Sequence, residues 1–407
     1  MITTPLIVIA LALVAYGIFS ERLSMSVISA PMIFMLAGFL AGPGGFGFFD
    51  LSIESEVLKG FGELTLGFIL FADAAATNNR RLASDYTLPR RMLIIGLPLT
   101  MALGAGLAFV LFPELSWMEA ALIAAILAPT DAALGLAVIH SKAVPERIRQ
   151  TILVESGLND GLALPAVLFF AALAFAAESH GAAGQGAAYW ISFTARQIAI
   201  GAGVGIVLGG IFGKIIHDAD RRGLVAHSFR NLLCVGVAIL VLLGAELAGG
   251  NGFIAAFVGG LVFGSFCKRR ADSLVGFVEE EGQLFALIIF FFFGAVLLPD
   301  ATEHFTVFCF AYAILSLTII RMGPIALSLV GSGVKAPTMA FLGWFGPRGL
   351  ASILFLFIAV EHDEMTALSQ IEAIVYITVA LSIILHGVTA SPFSRWFGNS
   401  TAGKADG

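Results

Sequence analysis

The fold is decided by two short stretches, Ala128-Pro129-Thr130-Asp131 and Glu155-Ser156-Gly157-Leu158-Asn159-Asp160-Gly161. Each lies in a segment that is otherwise apolar enough to cross a membrane, and a polar link, residues 140–150, joins the two segments. An ionisable side chain inside a membrane span costs about 2.5 kcal/mol or more and marks a candidate functional site. Two acidic clusters on consecutive spans therefore predict a functional site within the membrane.

The second stretch presents its polar side chains on one face. On a helix, Glu155 and Asn159 are four residues apart, as are Ser156 and Asp160, so all four project from the same side. Carboxylate, amide and hydroxyl oxygens are the ligands that hard cations prefer. This face is therefore a candidate cation site.

The first stretch predicts a helix break. Pro129 has no N–H, and its ring clashes with the carbonyl group one turn back, so the helix is interrupted beside Thr130 and Asp131. Secondary transporters coordinate their coupling ions at helices that are broken near the middle of the membrane. The break and the acidic face together predict an ion transporter.

Composition places the whole chain in the membrane. It has 407 residues, of which 58% are hydrophobic and 12% charged, and its mean hydropathy is +0.96. A soluble domain has about 45–50% apolar and about 25% charged residues. The first span begins near Thr4, and it has neither a basic segment before it nor a small-residue cleavage site. We therefore expect it to remain in the mature protein and not to be removed as a signal peptide. The net charge of −6 argues against a nucleic-acid partner.

Hydropathy predicts an all-α polytopic membrane protein with about thirteen transmembrane spans. The predicted spans are 4–20, 26–42, 54–76, 89–112, 117–139, 147–177, 189–216, 229–247, 250–267, 275–298, 304–330, 336–360 and 366–390. All but four of the 22 Lys and Arg residues lie in or beside the links after odd-numbered spans, or in the tail. Because cytoplasmic links are rich in Lys and Arg, we expect the N-terminus outside the cell and the C-terminus in the cytoplasm. The expected location of the protein is the cell (inner) membrane.

A second interrupted segment lies seven spans after the first. It is Gly346-Pro347-Arg348-Gly349 in span 12, and the first is in span 5. An inverted repeat of spans 1–6 and 8–13, linked by span 7, would place these two breaks at equivalent positions. Matching breaks in two halves of a transporter indicate its binding site.

Charged side chains elsewhere in the spans need partners. An intramembrane Arg must pair with an acid or reach water. Arg321 in span 11 is too deep to reach water easily, so we expect it to pair with Glu155. Arg348 is the alternative partner of Glu155. Asp73, near the inner end of span 3, either reaches water at the helix end or lines a cytoplasmic funnel to the ion.

These motifs resemble the cation:proton antiporter superfamily, in particular its NhaP-like sodium/proton antiporter branch, which also includes eukaryotic sodium/proton exchangers. The resemblance covers nearly the whole chain. It implies that spans 5 and 12 cross at their unwound centres. It also implies a homodimer with an ion-binding core of spans 4–6 and 11–13 and a dimerisation part of spans 1–3 and 8–10. Residues 1–398 would form this antiporter domain, and residues 399–407 a short cytoplasmic tail.

The resemblance also implies roles for single residues. Asp160 resembles the carboxylate that binds both ion and proton, and Asn159 marks the Asn-Asp branch, which is usually electroneutral. Thr130, Asp131 and Ser156 resemble the other residues that bind the ion in this family, directly or through water. The implied metal-ion ligands are thus Asp160, Ser156 and Thr130.

The resemblance also covers the charged groups around this site. Glu155 and Arg321 resemble the family's buried ion pair. Asp73 stands where the family more commonly has Glu.

One carboxylate is enough for an exchange mechanism. Burial favours the protonated form of Asp160 and a nearby cation favours the ionised form, so proton and cation compete for it. If the empty, charged site cannot cross the membrane, exchange is obligatory. With Asn159 neutral, one-for-one exchange moves no net charge. We expect Na+ or Li+ as the cation, with K+ open, and no cofactor.

Two other classes of membrane protein could use some of these residues. A cation channel could use the same oxygens but needs a continuous pore. A membrane-embedded hydrolase needs a nucleophile and a base, and Ser156 has no histidine on a neighbouring turn, since His140 lies in the cytoplasmic link.

Overall fold

A computed structural model of the chain describes residues 3–24, 26–49, 56–76, 86–178, 187–226, 229–266, 271–359 and 365–402. Every regular element in these ranges is helical, and the helices group into thirteen units that follow the predicted spans. The α-helices are α1 Thr3–Ser24, α2 Ala30–Ala41, α3 Glu56–Ala76, α4 Thr87–Arg91, α5 Leu97–Leu111, α6 Trp117–Leu127, α7 Ala132–Ile139, α8 Glu146–Glu178, α9 Ala187–Arg221, α10 Arg230–Leu247, α11 Gly252–Phe266, α12 Ala271–Phe292, α13 Leu298–Ala301, α14 Val307–Leu317, α15 Ile319–Ser328, α16 Ala336–Trp344, α17 Leu350–Ala359 and α18 Leu368–Ala402.

Both predicted breaks are present. Span 5 divides into α6 and α7, and span 12 divides into α16 and α17. Within the described ranges, seven helices are long and apolar enough to cross a membrane, and five apolar helices are shorter. The breaks fall in corresponding spans, as the inverted-repeat prediction requires.

Two further spans carry π-helical turns ahead of a proline. The turn Met92–Gly96 joins α4 to α5 in span 4, and the turn Phe293–Leu297 joins α12 to α13 in span 10. Pro98 and Pro299 follow these turns. Because proline has no N–H, the carbonyl group four residues before it loses its α-helical partner.

Two boundaries differ from the prediction. Span 11 was expected to be continuous, but it bends at Thr318 between α14 and α15. The Thr318 hydroxyl donates to the carbonyl oxygen of Ile314 at 2.6 Å, and such bonds from Ser or Thr to the preceding turn bend helices. The last helix continues to Ala402, past the predicted start of the tail at residue 399.

The spans form two packed groups that meet along a seam. In one group α11 packs against α3, α9 and α10, and in the other α6 packs against α5 and α8 while α14 packs against α18. Glycines allow the closest approach, since a Cβ at Gly205 of α9 would come within 2.6 Å of the carbonyl oxygen of Ala255 on α11. Contacts of α3 with α8 and α17 lie in the seam between the groups.

Candidate ion-binding site

The two broken spans cross at their breaks. Residues 128–131 lie between α6 and α7, and residues 345–349 lie between α16 and α17. The backbone N–H of Asp131 donates to the carbonyl oxygen of Pro347 at 2.8 Å. Each interrupted segment thus supplies a backbone partner to the other, which satisfies groups that a break would otherwise leave unpaired in the membrane.

Asp131 holds the start of α17. Its Oδ2 accepts from the backbone N–H of Leu350 at 2.7 Å. No Cβ fits at Gly349, because the Asp131 carboxylate occupies the space where it would lie. The N-terminus of a helix favours a negative group, and the Asp131 side chain occupies that position at α17.

Arg321, rather than Arg348, is the partner of Glu155. The Arg321 Nη1 and Nη2 groups donate to the two carboxylate oxygens of Glu155 at 2.8 and 2.9 Å. Both side chains are about 1% exposed. A Cβ at Gly346 would overlap with the Arg321 guanidinium, so the glycine allows the arginine to cross the break of span 12. The pair brings spans 6, 11 and 12 together.

Polar side chains of α8 surround Thr130. Ser156 Oγ donates to the carbonyl oxygen of Thr130 at 2.5 Å. Asn159 Nδ2 donates to Thr130 Oγ1 at 2.7 Å and to Glu155 Oε1 at 3.4 Å, and Thr130 Oγ1 donates to Glu155 Oε2 at 3.3 Å. The amide nitrogen of Asn159 thus makes both of these hydrogen bonds. Its amide oxygen, Oδ1, is buried and has no hydrogen-bond partner among the described residues.

Asp160 borders a cavity of about 100 Å³ that Thr130 does not line. The cavity is lined by three carboxylates, those of Asp73, Asp131 and Asp160, by Ser156, and by a mostly apolar remainder: Leu66, Ile69, Leu136, Leu153, Gly282, Gln283, Ala286, Leu350 and Ala351. Asp160 is 7% exposed, and its Oδ1 has no hydrogen-bond partner in the described part of the chain. The volume accommodates a few waters or a partly hydrated ion beside that free carboxylate oxygen.

The predicted site residues therefore divide into two sets. Asp73, Asp131, Ser156 and Asp160 line the cavity, whereas Thr130 and Asn159 do not and instead bond to each other and to Glu155. In this structure the Thr130 hydroxyl bonds with side chains of α8.

Arg348 lies away from the cavity and is fully buried. Its Nη1 donates to the carbonyl oxygen of Gly346 at 2.6 Å and its Nη2 to that of Ser316 at 3.4 Å. Gly346 lies just past the end of α16, and Ser316 lies in the last turn of α14. The C-terminal ends of helices carry a partial negative charge, which balances the guanidinium.

Three polar residues that the sequence reasoning missed also hold the crossing. Ser352 Oγ donates to the carbonyl oxygen of Ile126 at 2.9 Å, which links α17 to the last turn of α6. Ser382 and His386 of α18 contact the break of span 12. His386 had a usable signal, since it is an ionisable residue within an apolar span. The two serines had none.

Comparison with known proteins identifies the family. A family model described as "Sodium/hydrogen exchanger, transmembrane" matches residues 8–396. The chain belongs to the sodium/hydrogen exchanger family. The exchanger family consists of transporters, so the hydrolase alternative is excluded, and the chain is a multi-pass membrane protein.

Relatives of this chain are named for two different cations. It is 25% identical over 378 residues to the K(+)/H(+) antiporter NhaP of Alkalimonas amylolytica, with 91% of this chain and 63% of that protein covered. It is 27% identical over 348 residues to a Na(+)/H(+) antiporter of Schizosaccharomyces pombe, with 75% and 71% covered. The chain thus spans about three fifths of the length of the first of these relatives.

A solved structure has the same fold. The sodium proton antiporter MjNhaP1 from Methanocaldococcus jannaschii matches with a TM-score of 0.77 at 20% identity, over 98% of each chain. The predicted fold class, an all-helical membrane protein with crossing broken spans, is therefore confirmed.

Proposed function

We propose that this chain exchanges a monovalent cation for protons, with Na+ or Li+ as its cation, and that cation and proton compete for Asp160. The observation that carries the proposal is the buried Asp160 carboxylate, whose Oδ1 lacks a partner in the described residues and which borders the cavity with Asp131 and Ser156. Its oxygens and the Ser156 hydroxyl are suitable ligands for a small hard cation. The mechanism needs no resident cofactor.

The charges around the site favour one-for-one exchange. Glu155 and Arg321 neutralise each other, Asn159 is uncharged, and Asp131 is held at the N-terminus of α17. Asp73 and Asp131 keep the same charge throughout the cycle in this proposal, so the negative charge of Asp160 is balanced either by one cation or by one proton. Each direction of transport then carries the same net charge, so exchange is electroneutral.

The seam between the helix groups supports alternating access rather than a channel. The cavity beside Asp160 borders the first half of α8, and a second cavity of about 330 Å³ borders its last turns, from Leu168 to Phe175. Between them the ring of Phe257 packs directly on Gly161, and Leu354 Cδ2 lies 3.1 Å from the position of a Cβ on Gly62. A channel would need a continuous pore between the two cavities, and these packed side chains would block it.

Further parts of the proposal follow from the resemblance and the charge pattern. The exchanger is a homodimer in the cell (inner) membrane, with its N-terminus outside and its C-terminus in the cytoplasm. Spans 4–6 and 11–13 form the ion-binding core, and spans 1–3 and 8–10 form the dimerisation part. The cavity beside Asp160 then faces the cytoplasm, because it borders the helix ends next to the link 140–145.

The test is proton flux in proteoliposomes after addition of Na+, Li+ or K+ in turn. Asp160→Asn should abolish exchange of every cation while the protein remains folded, as measured by gel filtration and thermal melting. Substantial cation-driven proton flux from well-folded Asp160→Asn protein would refute the mechanism. The relatives named as K(+)/H(+) antiporters make K+ the second candidate. Proton flux with K+ but not with Na+ or Li+ would show that K+ is the transported cation.

A further inference from the structure

Two side chains of α18 hold the break of span 12 from outside the cavity. Ser382 and His386 lie one helical turn apart and are at most 1% exposed. Ser382 Oγ accepts from the backbone N–H of Arg348 at 2.7 Å. His386 Nε2 lies 2.9 Å from the carbonyl oxygen of Trp344. Trp344 is the last residue of α16 and Arg348 lies two residues before α17, so the two side chains hold both sides of the break.

The imidazole of His386 contacts three groups. Its Nε2 faces the carbonyl oxygen of Trp344, and its Nδ1 lies 3.0 Å from the carbonyl oxygen of Ser382 and 3.2 Å from Ser382 Oγ. A carbonyl oxygen only accepts, so a ring nitrogen that carries a proton donates to the carbonyl group it faces. These contacts connect the Arg348 N–H, through Ser382 and His386, to Trp344.

The held segment reaches the cavity through Asp131. The carbonyl oxygen of Pro347 accepts from the Asp131 backbone, and the first N–H of α17 donates to the Asp131 carboxylate, which lines the cavity with Asp160. A shift of residues 345–349 would therefore move Asp131 relative to Asp160. Packed, hydrogen-bonded segments transmit such shifts because they cannot deform freely.

We propose that Ser382 and His386 are positioning residues for the cation site, which they serve by fixing the break of span 12. The inference rests on the proposed function and adds residues that touch neither the cation nor Asp160. Loss of the Ser382 hydrogen bond leaves the buried Arg348 N–H without a partner among the described residues, and the break relaxes to satisfy it. Loss of the His386 hydrogen bond leaves the Trp344 carbonyl oxygen bonded only to the Gly346 N–H in the described part of the chain, so one tie between α18 and the break is removed. The cation site then loses its geometry while the exchange cycle is retained.

The chain offers a matched control on the same two helices. Trp344 Nε1 donates to Thr389 Oγ1 at 2.9 Å, three residues beyond His386 on α18. Thr389→Val removes this hydrogen bond between α16 and α18 but leaves every backbone bond of the break in place. A general loosening of the two helices would affect this variant as much as the others.

The experiment measures the apparent KM for the cation and the maximal exchange rate in proteoliposomes for wild type, Ser382→Ala, His386→Ala, His386→Gln and Thr389→Val. We expect Ser382→Ala and His386→Ala to raise KM about tenfold, which corresponds to one lost buried hydrogen bond, with a smaller effect on the maximal rate. His386→Gln should recover most of the loss, because its side-chain amide can donate to the Trp344 carbonyl. Thr389→Val should keep the wild-type KM.

The outcomes separate this inference from the proposed function. If the wild type drives no proton flux with Na+, Li+ or K+, the proposed function fails. If the wild type is active but Ser382→Ala and His386→Ala keep its KM, or match Thr389→Val, the positioning role is wrong. If His386→Ala does not fold, the result from Ser382→Ala decides alone.

Discussion

The ion pair between Glu155 and Arg321 is a sharp test of how the crossing is held together. Its two hydrogen bonds are 2.8 and 2.9 Å long, and both side chains are about 1% exposed. Removing one partner of a buried pair strands the other charge, which costs about 3–5 kcal/mol, whereas removing both costs much less. We expect Glu155→Leu and Arg321→Met each to lower the free energy of unfolding by about that amount.

The two single variants should differ in a predictable direction. If Arg321 is removed, Glu155 still receives bonds from Thr130 at 3.3 Å and from Asn159 at 3.4 Å. If Glu155 is removed, Arg321 loses its carboxylate, and its Nε has no partner among the described residues even in the intact pair. Glu155→Leu should therefore destabilise the protein more than Arg321→Met.

The assay is unfolding in mixed detergent micelles for the wild type, both single variants and the double variant. The double variant should be destabilised by several kcal/mol less than the sum of the single variants. Arg91→Met is the control, because within the described ranges Arg91 bonds to the carbonyl oxygens of Ser328 and Val330 and to no acid, and its loss should cost about 1–2 kcal/mol. Additive effects of Glu155→Leu and Arg321→Met would refute the reasoning, since they would mean that the two charges do not stabilise each other.

Three further substitutions test the cavity and its surroundings. Asn159→Asp should keep exchange insensitive to voltage in potential-clamped proteoliposomes, because the new acid faces the Glu155 carboxylate and must stay protonated to donate there; steep voltage dependence of the wild type would contradict electroneutral exchange. Asp131→Asn should weaken apparent cation affinity by about tenfold or less while the protein stays folded, because an amide oxygen can still accept from the N-terminus of α17 but carries no charge; total loss of flux would assign Asp131 a direct role. Gly161→Ala should reduce flux at saturating cation, because its Cβ overlaps with the ring of Phe257, and Phe257→Ala in the same protein should restore it; no recovery would mean that this contact does not limit exchange.

The sequence by itself determined the spans and the two breaks. Hydropathy over about twenty residues and the missing N–H of proline are local properties, so they do not depend on which helices become neighbours. The acids of α8 were likewise visible as polar groups in an apolar span. The bend at Thr318 was missed, because nothing local distinguishes a Thr that bends a helix from one that does not.

Partners were decided only by the tertiary structure. Arg321 and Arg348 both lie near breaks, and the sequence could not determine which of them reaches Glu155. The packing decides this, because Gly346 leaves room for the Arg321 side chain whereas Arg348 turns to carbonyl oxygens at helix ends. Ser382 and His386 bond to backbone atoms of another span. Every residue other than proline has the same backbone groups, so no pattern of side chains in the sequence could have indicated those bonds.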